Sequence, residues 1–200
     1  SSHAAVIFTQ DFEGALGANE TVSGTFVRNT TGFGNNGTTM MGHAGAYANF
    51  NYSFYRISNL ALTGSNILLS FDYAAQFETN FDGFNVKINN SVATPATGSD
   101  MQYTTSVMTS SFSSPITGQR FFDSSVTPRG VAEFDLSAFS GSTVDILFQF
   151  GADNSVTAAG INLDNVLITN DLSNAVPEPA SFALLGLGLA GLGLSRRKRA

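Results

Sequence analysis

The chain contains no cysteine and no tryptophan, holds only two histidines, and uses lysine at just Lys87 and Lys198. Without cysteine there is no disulfide framework, no Cys–His nucleophile and no zinc cage of His and Cys. A hydrolase triad would have to be built on His43, because the other histidine, His3, stands at the frayed start of the sequence. No G-x-S-x-G nucleophile elbow accompanies it. His43 falls in the stretch Gly42-His43-Ala44-Gly45 and reads as a loop residue rather than a base.

Positive charge is equally scarce. Of nine basic residues, four lie within 196–199. Setting that segment and Glu178 aside leaves five basic against fourteen acidic residues, a formal charge of about −9. Such a balance argues against a nucleic-acid partner, which needs a basic patch, and is compatible with divalent cations. Asp82-Gly83 and Asp153-Asn154 lack the ligand spacing and closing glutamate of an EF-hand loop. No internal repeat of fixed period is present, which argues against a solenoid or propeller.

What is abundant is phenylalanine, 18 residues, and glycine, 20 residues. Alternating, β-branched or aromatic runs recur at Val6 to Phe12, Tyr47 to Ile57, Ile67 to Tyr73, Phe84 to Ile88, Gln102 to Met108, Val131 to Leu136, Val144 to Phe150 and Ile161 to Ile168. Stretches rich in Ser, Thr, Asn and Gly separate them, notably Asn29 to Thr39, Asn90 to Asp100 and Ser110 to Gly118. Outside the C-terminus no segment keeps helical period for three turns. The pattern predicts an all-β, jelly-roll-like antiparallel β-sandwich of about eight strands over 1–170, with an aromatic core shared by its sheets. Phe8 and Phe12 are expected on one face of the first strand, Ile7 and Thr9 on the other.

The last two dozen residues differ from the rest. Val176-Pro177-Glu178-Pro179 is followed by an uncharged run, Ala180 to Ser195, and then by Arg196-Arg197-Lys198-Arg199. The two prolines predict a short extended segment. As a helix the run would reach roughly 24 Å, marginal for crossing a bilayer, and the basic cluster would stay cytoplasmic. Gly186, Gly188 and Gly191 match G-x-G-x-x-G, but inside an apolar run they cannot form the strand-to-helix turn that the dinucleotide motif requires. The expected organisation is a sandwich over 1–170, a linker over 171–179, a transmembrane helix over 180–195 and a basic tip over 196–200. Ser2-His3-Ala4 has the small-x-small character of a signal-peptidase site, which predicts a mature start near Ala5.

In its order of Pro-Glu-Pro triplet, apolar run and basic tip, the tail resembles the PEP-CTERM sorting signal of Gram-negative bacteria. The resemblance implies recognition and removal by exosortase, a membrane-embedded cysteine transpeptidase-like enzyme. It further implies transient anchoring in the inner membrane, then residence at the cell surface or in an extracellular matrix with exopolysaccharide, as in biofilms. The alternative is a plain C-terminal membrane anchor, which also places the rest of the chain outside the cytoplasm.

Phe8-Thr9-Gln10-Asp11-Phe12-Glu13-Gly14 and Gly160-Ile161-Asn162-Leu163-Asp164-Asn165-Val166 resemble the first and last strands of extracellular jelly-roll modules: MAM-like, cleaved-adhesin-like and carbohydrate-binding domains. That resemblance implies that the terminal strands pair and that their acids can hold a structural calcium ion. Asp11 or Glu13 and Asp164 are then the ligand candidates, with Asp153 and Asn154 completing the site. Asp11 and Glu13, two apart on a strand, project to one face, and calcium accepts six to eight oxygens. The competing reading gives these acids ordinary turn hydrogen bonds.

Glu133 and Asp135 are a candidate pair of glycosidase carboxylates, or simply outward positions flanking inward Phe134 and Leu136. Tyr47, Tyr52, Tyr55 and Tyr73 are candidate sugar-stacking rings, or core. Asn36 and Asn51 are candidate glycan attachment points. Two functional classes follow: a non-enzymatic surface or matrix protein, and a carbohydrate-binding or adhesive module.

Overall fold

A computed structural model describes residues 3–172 of the chain. The Val176–Pro179 motif, the expected helix over 180–195 and the Arg196–Arg199 cluster lie outside the described residues, as does the start of the expected signal-peptidase site. The compact unit Ala4–Leu172 is all-β. Among the described residues no helix is long and apolar enough to cross a membrane.

Eleven strands are present among the described residues: β1 (His3–Gln10), β2 (Glu20–Ser23), β3 (Phe26–Asn29), β4 (Met40–His43), β5 (Tyr52–Ala61), β6 (Ser65–Gln76), β7 (Gly83–Ile88), β8 (Ser91–Val92), β9 (Arg129–Asp135), β10 (Thr143–Gly151) and β11 (Gly160–Leu172). One sheet has the order β3-β4-β11-β6-β9, with β1 also pairing β11; the other has the order β2-β5-β10-β7-β8. The first and last strands are therefore neighbours, and the two antiparallel sheets make a jelly-roll-like sandwich. Seven of the expected strands are present, and the four not expected are short. β2, β3 and β4 have four residues each and β8 two, too few to leave an alternation that a sequence window can detect.

Alternation builds the core. Leu69, Phe71 and Tyr73 of β6, Ala132 and Phe134 of β9, and Ile161 and Leu163 of β11 point inward from one sheet. Tyr55 and Ile57 of β5, Phe84 and Val86 of β7, and Phe148 and Phe150 of β10 meet them from the other. Phe71 stacks on Phe134 with centroids 6.1 Å apart and meets Phe148 edge-on at 5.3 Å, so its ring touches side chains of both sheets. Each fully buried Leu, Ile, Val or Phe among them contributes roughly 1.5–3 kcal/mol by leaving water. Two bulges keep the pattern inward. An extra residue at Asn165 (φ 49°) moves the inward set of β11 from Ile161 and Leu163 to Val166 and Ile168, and Asn59 (φ 54°) does the same between Ile57 and Leu60 of β5.

Several local expectations are corrected. Gln102 to Met108 is not a strand; only Val107 forms an isolated bridge, to Arg120. Two of its residues, Tyr103 and Met108, are buried in two different places. The Tyr103 hydroxyl accepts the Val86 N–H at 2.8 Å in the main core, while Met108 packs with Ile116 and Phe121 in a second cluster. The strand expected from Tyr47 starts only at Tyr52, because Phe50 adopts φ 57°. Phe12 lies beyond the end of β1, also at φ 57°, and is fully buried against Tyr55. Ile7 and Phe8, expected on opposite faces, are both partly buried against the core. At the other end β11 runs through Asp171 and Leu172, two residues into the stretch read as linker.

His43 is not a loop residue. It ends β4, is 1% exposed, and packs edge-on against Phe26 and Phe150 at 4.9 Å. Its Nδ1 accepts the Ile161 N–H at 3.2 Å, and Nε2 is buried without a hydrogen-bond partner. Gly160, at φ 85°, permits this approach, since a Cβ there would lie 2.2 Å from Nδ1. Burial lowers the His43 pKa from 6.5 to about 4. The unfolded chain therefore takes up a proton as pH falls through about 6.5, while the folded chain resists until about 4, and stability is lost across that window. The loss is about 3 kcal/mol at the full shift. Asn at position 43 keeps an acceptor for Ile161 and removes the titration. Urea unfolding of wild type and His43→Asn at several pH values is expected to show a markedly flatter acid limb for the variant.

Candidate functional site

The strand register that builds the core also gathers acids at one end of the second sheet. Gly83 of β7 pairs with Gly151 of β10, so Asp82, just before one, lies beside Asp153, just after the other. The Asp153 N–H donates to Asp82 Oδ1 at 2.8 Å, and the Tyr47 hydroxyl donates to Asp82 Oδ2. Glu78 comes from the β6–β7 connection, which is tied by the Asp82 N–H donating to the Glu78 carbonyl at 3.2 Å. Carboxylate oxygens of Glu78, Asp82 and Asp153 all lie within 4.8 Å of one another.

Asp82 is fully buried and Asp153 nearly so, and Glu78 Oε2 is enclosed with no hydrogen-bond partner. Burial raises the pKa of Glu78, and the charges of Asp153 and Asp82 raise it further. Burial also raises that of Asp82, against the opposing donors from Tyr47 and Asp153. Three carboxylates at this spacing are a donor set for a hard divalent cation, with backbone carbonyls and water able to complete its shell.

The acids expected to form one calcium site are divided by the fold. Asp153 joins Glu78 and Asp82, while Asn154 is exposed and offers its carbonyl to the Asn49 amide at 2.8 Å. Glu13 and Asp164 converge instead on the β3–β4 loop. The Glu13 carboxylate accepts from the Thr39 N–H at 2.7 Å and its hydroxyl at 3.0 Å, and Asp164 Oδ2 accepts from the Thr38 hydroxyl at 2.8 Å. Asp11 accepts the Glu13 N–H at 3.1 Å in a local turn. Asp164 faces Asp72 across the β11–β6 ladder; burial raises its pKa, and the Asp72 and Glu13 charges add to the shift. A cavity of about 180 Å³ opens beside it, lined by Asn36, Asp72, Arg129 and Asn162.

Sequence reasoning did not single out Glu78, and it weighed Asp82 only as part of an EF-hand loop that its spacing excludes. Four residues apart in a connection, they carry no motif, and only the Gly83–Gly151 pairing brings Asp153 to them. The other candidates fall as follows. Tyr47, Tyr55 and Tyr73 are buried, whereas Tyr52 is 41% exposed. Glu133 and Asp135 take outward positions flanking fully buried Phe134 and nearly buried Leu136. Asn36 is exposed, while Asn51 is 8% exposed and bonded to Thr25 and Ser53.

Residues 175–198 match the PEP-CTERM protein-sorting motif. The chain thus combines an all-β sandwich with a sorting tail, and the motif indicates export and membrane-anchored transit before surface localisation. No curated protein matches the chain. Among solved structures, the K3 cleaved adhesin domain of Lys-gingipain from Porphyromonas gingivalis W83 is similar at 16% identity, with 84% of this chain and 99% of that one covered and a TM-score of 0.44. A CBM35 from Paenibacillus barcinonensis is similar at 15% identity, covering 80% and 97% with a TM-score of 0.40. A family 35 carbohydrate-binding module from Clostridium thermocellum is similar at 13% identity, covering 84% and 97% with a TM-score of 0.37.

The charge repulsion at Glu78 has a measurable consequence. A carboxyl whose pKa is raised on folding stabilises the fold less as pH rises above its unfolded pKa. In EDTA, Glu78→Gln is therefore expected to unfold at higher urea than wild type near pH 7, with the difference vanishing as Glu78 protonates in acid. A variant less stable than wild type at neutral pH would show that the charge is compensated.

Proposed function

We propose that this is an exported, non-catalytic surface or extracellular-matrix protein whose tail exosortase recognises and removes, leaving the sandwich associated with exopolysaccharide. The observation that carries this reading is the sorting motif over 175–198, placed directly after a β-sandwich domain. The state of the histidine supports the non-catalytic part. His43 is enclosed by aromatic rings, its Nδ1 is taken by Ile161, and its lowered pKa leaves it neutral. Glu133 and Asp135 sit at ordinary outward strand positions.

Intact mass of the surface-associated protein, from the host with and without its exosortase, tests the reading. The expected result is a mass ending near Pro177 to Pro179 in the first strain and the uncleaved tail in the second. The same uncleaved mass in both would reduce the tail to a plain anchor.

A second reading, a carbohydrate-binding or adhesive module steadied by calcium, is favoured by the Glu78–Asp82–Asp153 cluster with its unpartnered Glu78 Oε2. Calcium would relieve the like-charge repulsion there. Thermal unfolding against calcium concentration is expected to show stabilisation of wild type that Glu78→Gln loses and Asp164→Asn keeps. Loss in Asp164→Asn alone would move the ion to the Glu13–Asp164 side, and no shift in wild type would remove calcium from the account.

A further inference from the structure

The outward face of the second sheet brings aromatic, amide and cationic side chains together. The cross-strand register places Arg56, Leu147 and Lys87 in one row over β5, β10 and β7, and Phe54, Gln149 and Asn85 in the next. Alternation sends all six away from the core, because Tyr55, Phe148 and Val86 point inward. Tyr52 continues the aromatic edge, opposite Gly151. Of the five basic residues before the tail, Arg56 and Lys87 lie on this face and Arg120 stands at its rim, its carbonyl accepting from the Asn85 amide at 2.8 Å. Asp145 is the one acid on the three strands, and it sits at the β10 irregularity, where its Oδ1 accepts the Asn59 N–H at 2.9 Å.

The polar groups are held in place. The Tyr52 hydroxyl donates to Gln149 Oε1 at 2.9 Å, and the Gln149 amide donates to Asn85 Oδ1 at 2.8 Å and Gln119 Oε1 at 2.7 Å. The Arg56 guanidinium lies over the Phe54 ring, 5.3 Å from its centroid. Ile116 and Phe121 close one end of the face by packing on Gly151 and Gly83. Gln149, Asn85 and Leu147 are buried, the two amides tied to Gln119 and Arg120; what stays open is the Tyr52–Phe54 edge and two half-buried cations whose strands are two spacings apart, roughly 10 Å.

We infer that this face binds an anionic polysaccharide of the polyuronate class, a deepening that rests on the surface role proposed above. Tyr52 offers its ring to the sugars, and Arg56, held over Phe54, and Lys87 meet carboxylates. Charge density selects the ligand. A nucleic-acid duplex carries a charge about every 1.7 Å, which two or three cations in an acidic domain cannot neutralise. A polyuronate carries one per sugar, a density that sparse cations can match, and its planar-faced rings use the aromatic edge.

The test is binding of the full chain, in mild detergent and EDTA, to immobilised polygalacturonate and to its fully methyl-esterified form. Binding to the charged polymer is expected to exceed that to the ester and to weaken with added salt. Arg56→Gln and Lys87→Gln are each expected to lower affinity about two- to fivefold, with Arg129→Gln, on the other sheet, as the unaffected control. Equal binding to both polymers, no binding, or equal loss in the Arg129 variant overturns the inference. If binding fails while the surface form still ends near Pro177 to Pro179, this inference falls and the surface role stands. If binding holds while the mass shows no cleavage, the reverse is true.

Discussion

Phe71 is where the two sheets become one body. Its ring stacks on Phe134 within its own sheet and meets Phe84 and Phe148 of the other, and Phe148 in turn stacks on Tyr55. In a chain with no cysteine, this aromatic seam takes over the joining role that a disulfide has in many exported domains. Aromatic pairs add directional contacts to the general gain from burial, so the seam fixes how the sheets align as well as that they associate. The acidic cluster and the outer face both inherit their geometry from that alignment.

The β10–β7 pairing shows how one register serves two surfaces. At its end, Gly151 opposite Gly83 brings Asp153 beside Asp82; along its middle, the same ladder lines up Gln149 with Asn85 and Leu147 with Lys87. A slip of one residue would turn Phe148 and Phe150 to solvent, so the buried alternation defends the polar arrangement on the opposite side. The cost of holding buried Asp82 beside two other acids is carried by specific donors: the Tyr47 hydroxyl and the Asp153 N–H.

Much of this was legible in the sequence, for a physical reason. β6, β9 and β10 are long and half-buried, so their period-two pattern is strong, and the all-β sandwich follows from them. The resemblance-based pairing of first and last strands also appears, as β1 beside β11. Failures cluster where burial comes without a ladder. Gln102 to Met108 carries apolar residues because a loop dips into two hydrophobic clusters, at Tyr103 and at Met108, which a one-dimensional window cannot separate from a strand. The Glu78–Asp82–Asp153 group depends on contacts between connections far apart in sequence, and nothing local announces it. His43 was misjudged because its glycine neighbours suggest a turn. Here Gly160, distant in sequence, is the glycine that makes room for the ring.

Charge placement connects the sandwich to its setting. An excess of acidic residues keeps such a domain soluble and repels other acidic surfaces, and repulsion is long-ranged only when salt is low. Arg56 and Lys87 interrupt it on one face, where no acid of β5, β7 or β10 but Asp145 offsets them. Orientation would then be chosen before contact, by the field of the whole domain, and affinity afterwards by the aromatic edge. A uniformly basic domain would bind the same polymer in many poses. An acidic domain with one permissive face admits it in few, and that selectivity follows from the scarcity of lysine and arginine with which the sequence began.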